Sequence, residues 1–97
     1  MRNELRFKPL KLPTLNDMLG VEDDIMFKFV FAQTKQVITF EGEVIDDIEY
    51  LYTTDRIFTI NENKLFRYYE VQDKVELSNY QINDLLGNKN FIGIQLV

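Results

Sequence analysis

The chain has 97 residues, 45% of them hydrophobic and 13% aromatic, which is enough apolar material for one domain with its own core. It contains neither cysteine nor histidine. Their lack excludes disulfides, thiolate zinc sites, cysteine nucleophiles and the commonest general base. We therefore expect a single domain over residues 1–97 that is not an enzyme and binds neither cofactor nor metal.

The net charge of −5 is unevenly distributed along the chain. Residues 1–11 carry +3, residues 12–55 carry −8, and residues 56–97 balance five acids with five bases. Binding to a nucleic-acid backbone needs a basic patch, so the acidic middle argues against direct nucleic-acid binding. The basic N-terminal segment can contact an acidic partner or the protein's own acidic middle. No apolar run fits a signal peptide or a bilayer span, so we expect a cytoplasmic protein without membrane contact.

The first third of the chain predicts a strand, a short helix and a second strand. Side chains alternate over residues 4–12, and Pro9 restricts that strand to a sheet edge. Thr14 has the position of an N-cap, with Asp17 at the third helical position, and Gly20 has the position of a left-handed helix stop. The strand over residues 25–32 places an apolar face toward the core. That face consists of Ile25, Phe27, Phe29 and Phe31.

The acidic middle predicts a turn at residues 33–36 and a strand over residues 37–44. Ile38, Phe40 and Val44 are expected to point inward, and Gly42 is expected at a bulge or a close backbone approach. A second turn is predicted at Asp46 and Asp47, followed by a strand over residues 48–53. Pairing of these two strands would bring the surrounding carboxylates close together.

The C-terminal part predicts a hairpin of residues 57–60 and 65–71 around a turn at 61–64, then a short strand over 75–77. Ser78 has the position of an N-cap with Gln81 at the third helical position, and Gly87 ends that helix. A final strand spans residues 91–97. The predicted fold class is α+β and mostly β, a single antiparallel-rich sheet or small open barrel with two short capped helices.

Residues 15–30 and 82–97 resemble each other, with six identities in sixteen positions and loops of equal length. One interpretation is a duplicated helix–strand unit with pseudo-twofold symmetry. The other is that short capped helices before strands converge on the same Asx, Leu and Gly residues for local reasons.

Acidic clusters are the first candidates for chemistry. One covers residues 22–24, and the other consists of Glu41, Glu43, Asp46, Asp47 and Glu49. Neither has the spacing or the glycine of a calcium loop, and one thin sheet offers no cleft for paired catalytic carboxylates. Either cluster is a solvated surface or a surface for a basic partner.

Tyrosines are the second candidates. Tyr50 and Tyr52 lie two positions apart on one strand, so they share a face. Tyrosine is enriched at protein interfaces, although a half-buried core rim is the more ordinary explanation of the pair. Tyrosines near Arg56 and Arg67 also suggest stacking of single-stranded nucleic acid, which the neighbouring acids disfavour.

These patterns predict a non-enzymatic protein-interaction module, such as a small inhibitor or regulator of the phage or mobile-element type. Its partner would be a protein with a basic surface, for example a nucleic-acid-binding protein. The predicted partner-binding residues are Glu41, Glu43, Asp46, Asp47, Glu49, Tyr50 and Tyr52. The alternative is a structural or assembly subunit that forms a homo-oligomer by strand pairing. A small enzyme with carboxylate catalysis is the third hypothesis.

Overall fold

The computed structural model describes residues 13–97, apart from the side chain at position 45. The strand predicted over residues 4–12 lies outside the described residues. The described part contains the helices α1 (Leu15–Leu19) and α2 (Asn79–Leu86). It also contains six strands: β1 (Phe27–Ile38), β2 (Val44–Thr53), β3 (Phe58–Asn61), β4 (Lys64–Tyr68), β5 (Lys74–Glu76) and β6 (Phe91–Leu96).

The six strands form one open antiparallel sheet with the order β2-β1-β3-β4-β5, and β6 also pairs with β1. Strand β1 is therefore central. Its first half pairs with β6 along one edge, while β3 and β2 follow one another along the other edge. The predicted fold class is confirmed, in the form of an open sheet.

Alternation along β1 builds the core. Phe27, Phe29 and Phe31 are buried on one face of the sheet. The Phe29 ring makes edge contacts with Phe58 at 4.7 Å and with Phe91 at 5.7 Å between ring centroids. Both helices pack on this cluster. Their contacting residues are Leu15, Leu19, Ile82, Leu85 and Leu86.

Both predicted N-caps are confirmed. The Thr14 hydroxyl accepts a hydrogen bond from the Asp17 backbone N–H, and Ser78 forms a complete capping box with Gln81. Gly20 ends α1 in the left-handed conformation, with φ of 71°. Gly87 also ends its helix but has right-handed φ and ψ, so only the first helix has the left-handed stop.

The predicted chain reversals in the acidic middle are wrong. Strand β1 continues through residues 33–36, and β2 passes straight through Asp46 and Asp47. The chain turns at residues 39–43 instead, where Gly42 has φ of 84° and donates its N–H to the Thr39 carbonyl. Gly42 thus serves the turn, and the expectation of an inward-facing strand there fails.

Four residues predicted to be core are exposed. Phe40 is fully exposed at the turn, and Ile38 and Val44 are each 56% exposed. Ile25 precedes β1 and is 39% exposed. Alternation identifies a strand, but it does not say which part of the strand has a partner layer above it. Here the helices cover only the first half of β1.

The register of β1 with β6 supports the internal similarity. Lys28 pairs with Gln95, its equivalent in the second unit. On either side, Phe27 pairs with Leu96 and Phe29 pairs with Ile94. Because Phe27 corresponds to Ile94 in the alignment and Phe29 to Leu96, replacing each residue by its equivalent turns one of these pairs into the other. The strands of the two segments are thus related by a local twofold axis through the Lys28–Gln95 pair, which is the register that a duplicated unit predicts for its strands.

The β3–β4 turn carries two residues in the left-handed region, Glu62 with φ of 51° and Asn63 with φ of 59°. Asparagine tolerates this conformation, and its side-chain oxygen accepts a hydrogen bond from the Leu15 N–H at 2.7 Å. Glutamate has no such compensation, because its Cβ is crowded at positive φ.

Replacing Glu62 with glycine is expected to stabilise the protein by about 0.5–1 kcal/mol. Relief of the left-handed strain gives roughly 1–2 kcal/mol, and the extra chain entropy of glycine removes part of that gain. The matched control is Glu62→Ala, which keeps the Cβ and should leave stability unchanged. Urea unfolding measures both variants, and equal stabilisation by alanine would contradict the strain argument.

Candidate interaction site on a projecting hairpin

The acidic middle forms a two-stranded ribbon that extends beyond the rest of the sheet. We call residues 32–51 the arm: the end of β1, the turn at 39–43 and most of β2. Within the described residues, β6 pairs with β1 only up to Phe31, whereas β2 continues to Ile38. The arm therefore projects about 20 Å, at about 3.3 Å per residue.

Both long edges of the arm carry unpaired backbone groups within residues 13–97. The Ala32 N–H donates to the Asn90 carbonyl on the β6 side, and the Phe29 carbonyl accepts from the Thr54 N–H on the β2 side. Because these directions alternate, Thr34 and Gln36 present their N–H and C=O groups at the outer edge of β1. Asp47, Glu49 and Leu51 do the same at the outer edge of β2.

All seven predicted partner-binding residues lie on the arm or at its base, although the predicted hairpin was wrong. Glu41 and Glu43 belong to the turn. Asp46, Asp47, Glu49, Tyr50 and Tyr52 lie on β2. The five carboxylates share the arm with one base, Lys35, so the arm carries a net charge of −4.

One face of the arm continues the core. We call this face, together with Tyr52 at the base of the arm, the tyrosine face: Gln33, Lys35, Val37, Asp46, Ile48, Tyr50 and Tyr52. The Tyr52 ring stacks on Phe31 at 5.3 Å between centroids, and Tyr50 follows Tyr52 at 6.2 Å. The Tyr50 hydroxyl donates to the Gln33 side-chain oxygen at 3.0 Å. This row of aromatic rings fixes the base of the arm to the buried phenylalanines.

The opposite face carries the other two acids of β2. Asp47 lies across from Gln36, Glu49 across from Thr34, and Leu51 across from Ala32. The acids of the strand are therefore divided between the faces, with Asp46 on the tyrosine face. Together with Glu41 and Glu43 they surround the far half of the arm with negative charge, rather than converging on one point.

Sequence reasoning missed the apolar tip of the arm. Ile38, Phe40 and Val44 were assigned to the core, yet all three are exposed beside Glu41 and Glu43. The available signal was Gly42 next to two glutamates, a combination typical of a turn. Ile38 pairs with Val44 across the arm, so these two exposed aliphatic residues lie side by side next to the turn that carries Phe40.

The other acidic cluster, residues 22–24, is tied to the β3–β4 turn. The Asp23 carboxylate accepts hydrogen bonds from the Asn16 side-chain amide and the Glu62 backbone N–H. The Asp24 carboxylate accepts from the Asn61 side-chain amide. These contacts give both acids a structural role in holding the loop against the sheet.

The ring of Tyr69 makes cation–π contacts with two arginines. The guanidinium carbons of Arg56 and Arg67 lie 5.2 Å and 4.9 Å from its ring centroid. Arg56 also donates to the Tyr69 carbonyl at 2.8 Å, and Arg67 donates to the Tyr69 hydroxyl. A base stacking on this ring would have to displace these contacts, so the arrangement disfavours the single-strand stacking considered from the sequence.

Two further classes of site have no candidate within residues 13–97. No cluster of three or more acidic side chains is arranged to hold a metal ion. No helix there has the length and apolarity of a bilayer span. Comparison with known proteins identifies no relative, since no family model, curated protein or solved structure matches the chain. The arm, with its charge, tyrosines and open edges, is therefore the best-defined candidate site.

Replacing each tyrosine of the arm and its base with alanine should show that Tyr52 contributes more to stability than Tyr50. Tyr52→Ala is expected to lower the free energy of unfolding by about 2 kcal/mol, because it removes the stack on Phe31 and partial burial. Tyr50→Ala should cost less than half as much, since that ring contacts mainly Tyr52 and Gln33. Urea unfolding measures both variants. Equal losses would show that the aromatic row is one packing unit with no ring left for a partner.

Calcium or magnesium at millimolar concentration should leave the melting temperature unchanged. A cation that binds only the native state must raise the melting temperature by mass action. The Asp23 and Asp24 carboxylates are already hydrogen-bonded, and the carboxylates of the arm do not converge. Thermal unfolding with each cation and with a chelator checks this, and a rise of several degrees would mean that an acidic cluster is a cation site.

Proposed function

We propose that the protein is a non-enzymatic interaction module that uses the arm to bind a basic surface of a protein partner. The observation that carries the proposal is the location of five carboxylates on one projecting hairpin with a net charge of −4. A projecting hairpin reaches into concave surfaces that a flat sheet face cannot enter. Clustered carboxylates also accelerate encounter with a basic partner by long-range attraction.

The acidic and the apolar side chains of the arm can contribute to binding in different ways. The acids supply attraction and orientation, and the contact itself needs apolar area near the centre of the interface. Phe40, Ile38 and Val44 provide such area at the tip, and Tyr50 provides it on the tyrosine face. A partner of fitting chemistry has an apolar pocket surrounded by Lys and Arg, as in the groove of a nucleic-acid-binding protein. An inhibitor or regulator of such a protein fits this description.

A second candidate function is supported by the unpaired edges of the arm. An exposed strand edge is a template for pairing with a strand of another chain, and strand addition is a recurring mode of recognition. An assembly subunit would use the backbone of β1 or β2 rather than the carboxylates alone. Strand addition and charge recognition use the same arm, so the two functions are compatible.

Reversing Glu43 and Asp46 to lysine tests the charge-based proposal. Both residues are exposed, so the fold should remain, while the arm changes from −4 to neutral. Immobilised parent and variant proteins are used to capture binding proteins from cells that contain the protein. A partner retained by the parent should be lost by the variant, and its association rate with the parent should fall as salt rises.

The matched control is Glu22→Lys with Glu70→Lys, which changes the total charge equally at exposed positions outside the arm. The control should retain the partner with an unchanged association rate. If the arm variant and the control behave alike, the acidic arm is a solvated surface and the proposal fails.

A further inference from the structure

We propose that the basic N-terminal segment of one copy adds as an edge strand to β2 of a second copy. The proposal rests on the arm recognising a basic partner and identifies that partner as another molecule of the same chain. Three observations carry it: the backbone groups at the outer edge of β2, the pattern of residues 2–9, and the distance from residue 13 to the arm.

The outer edge of β2 is a suitable acceptor. Asp47, Glu49 and Leu51 present their N–H and C=O groups there, and no strand within residues 13–97 pairs with them. Along β2, acidic side chains alternate with apolar and aromatic ones. Asp47 and Glu49 lie on one face, whereas Ile48 and Tyr50 lie on the other. An added strand must therefore be basic on one face and apolar on the other.

Residues 5–8 have this alternation, and Glu4 falls outside the acidic pair, opposite Leu51. In an antiparallel register with Arg6 opposite Glu49, Lys8 falls opposite Asp47. The same register places Phe7 opposite Ile48, and Leu5 opposite Tyr50. Opposite charges and apolar pairs directly across an antiparallel ladder stabilise it, so both faces of β2 are matched at once.

The position of Pro9 is compatible with the same register. With Arg6 and Lys8 bonded to Glu49 and Asp47, the even positions of the added strand face β2 and the odd positions face solvent. Pro9 would stand opposite Asp46 with its missing N–H on the solvent side. A proline at that position removes no ladder hydrogen bond and blocks a further strand from pairing there.

The chain between Lys8 and Leu15 is too short for the segment to reach the arm of its own molecule, so the donor strand comes from a second copy. Leu15 donates to Asn63 in the β3–β4 turn, at the end of the sheet away from the arm. From that turn to Asp47, which lies opposite Gln36, the strands span about 40 Å at 3.3 Å per residue. Lys8 is only seven residues from Leu15, and seven extended residues reach at most about 25 Å. The segment therefore cannot occupy this register on its own arm.

A charge-swap experiment on the full chain tests the proposal. One variant reverses Arg6 and Lys8 to glutamate, and a second reverses Asp47 and Glu49 to lysine. The parent is expected to self-associate at tens of micromolar in sedimentation velocity. Each variant alone should have a dissociation constant raised about 30-fold, because two attractive pairs become repulsive. An equimolar mixture of the two variants should associate again, since acidic donors then meet basic arms.

The control variant combines Lys64→Glu with Lys89→Glu, two exposed lysines outside the arm, and should associate like the parent. A parent that stays monomeric at 100 µM overturns the proposal. So does a mixture that stays monomeric although both variants fold by circular dichroism, or a charge-reversed variant with the parent's mass. If the mixture fails while reversal of Glu43 and Asp46 still abolishes capture of a different protein, the proposed function stands and only this inference falls.

Discussion

Strand β1 gives the molecule its arrangement, because one continuous strand of twelve residues belongs both to the core and to the arm. Its first five residues carry the three buried phenylalanines and pair with β6. Its last seven pair only with β2 among the described residues. The direction of the arm is therefore set by the same backbone that the core holds in place, and no loop or hinge separates the two parts.

Aromatic contacts extend this coupling from one part to the other. The rings of Phe58, Phe29, Phe91 and Phe31 form a chain of contacts inside the core, and Tyr52 and Tyr50 continue it outward. The phenylalanines of this row are buried or half-buried, whereas Tyr52 and Tyr50 are 39% and 40% exposed. A binding event on the tyrosine face would therefore meet a surface held in one conformation, which lowers the entropy lost on binding.

The elements that were predictable from sequence are those fixed by local chemistry. Thr14, Ser78 and Gly20 end or begin helices through contacts within a few residues, and all three were identified correctly. The phenylalanines of β1 were also identified, because their alternation reflects a covering layer. The reversal at residues 39–43 was missed because residues 33–36 are polar on both faces. A ribbon solvated on both sides has no periodicity to distinguish it from a turn.

The five acidic residues predicted to bind a partner lie together on the arm although the predicted hairpin was wrong. Glu41, Glu43, Asp46, Asp47 and Glu49 are close in sequence, so almost any local strand pairing places them near one another. Their division between two faces depends on register, and register depends on where the turn begins. The same error assigned Phe40 to the core, since an alternation continued through the turn gives its side chain the wrong face.

The two edges of β1 also differ in the order in which they can form. Pairing with β2 closes a loop of about five residues, whereas pairing with β6 joins positions 60 to 69 apart. Closing the longer loop costs about 2 kcal/mol more entropy. The lower closure cost favours pairing of the hairpin before β6 is in place. We expect the arm carboxylates of different molecules to repel one another at that stage, which disfavours aggregation while the phenylalanines lie beside an open edge.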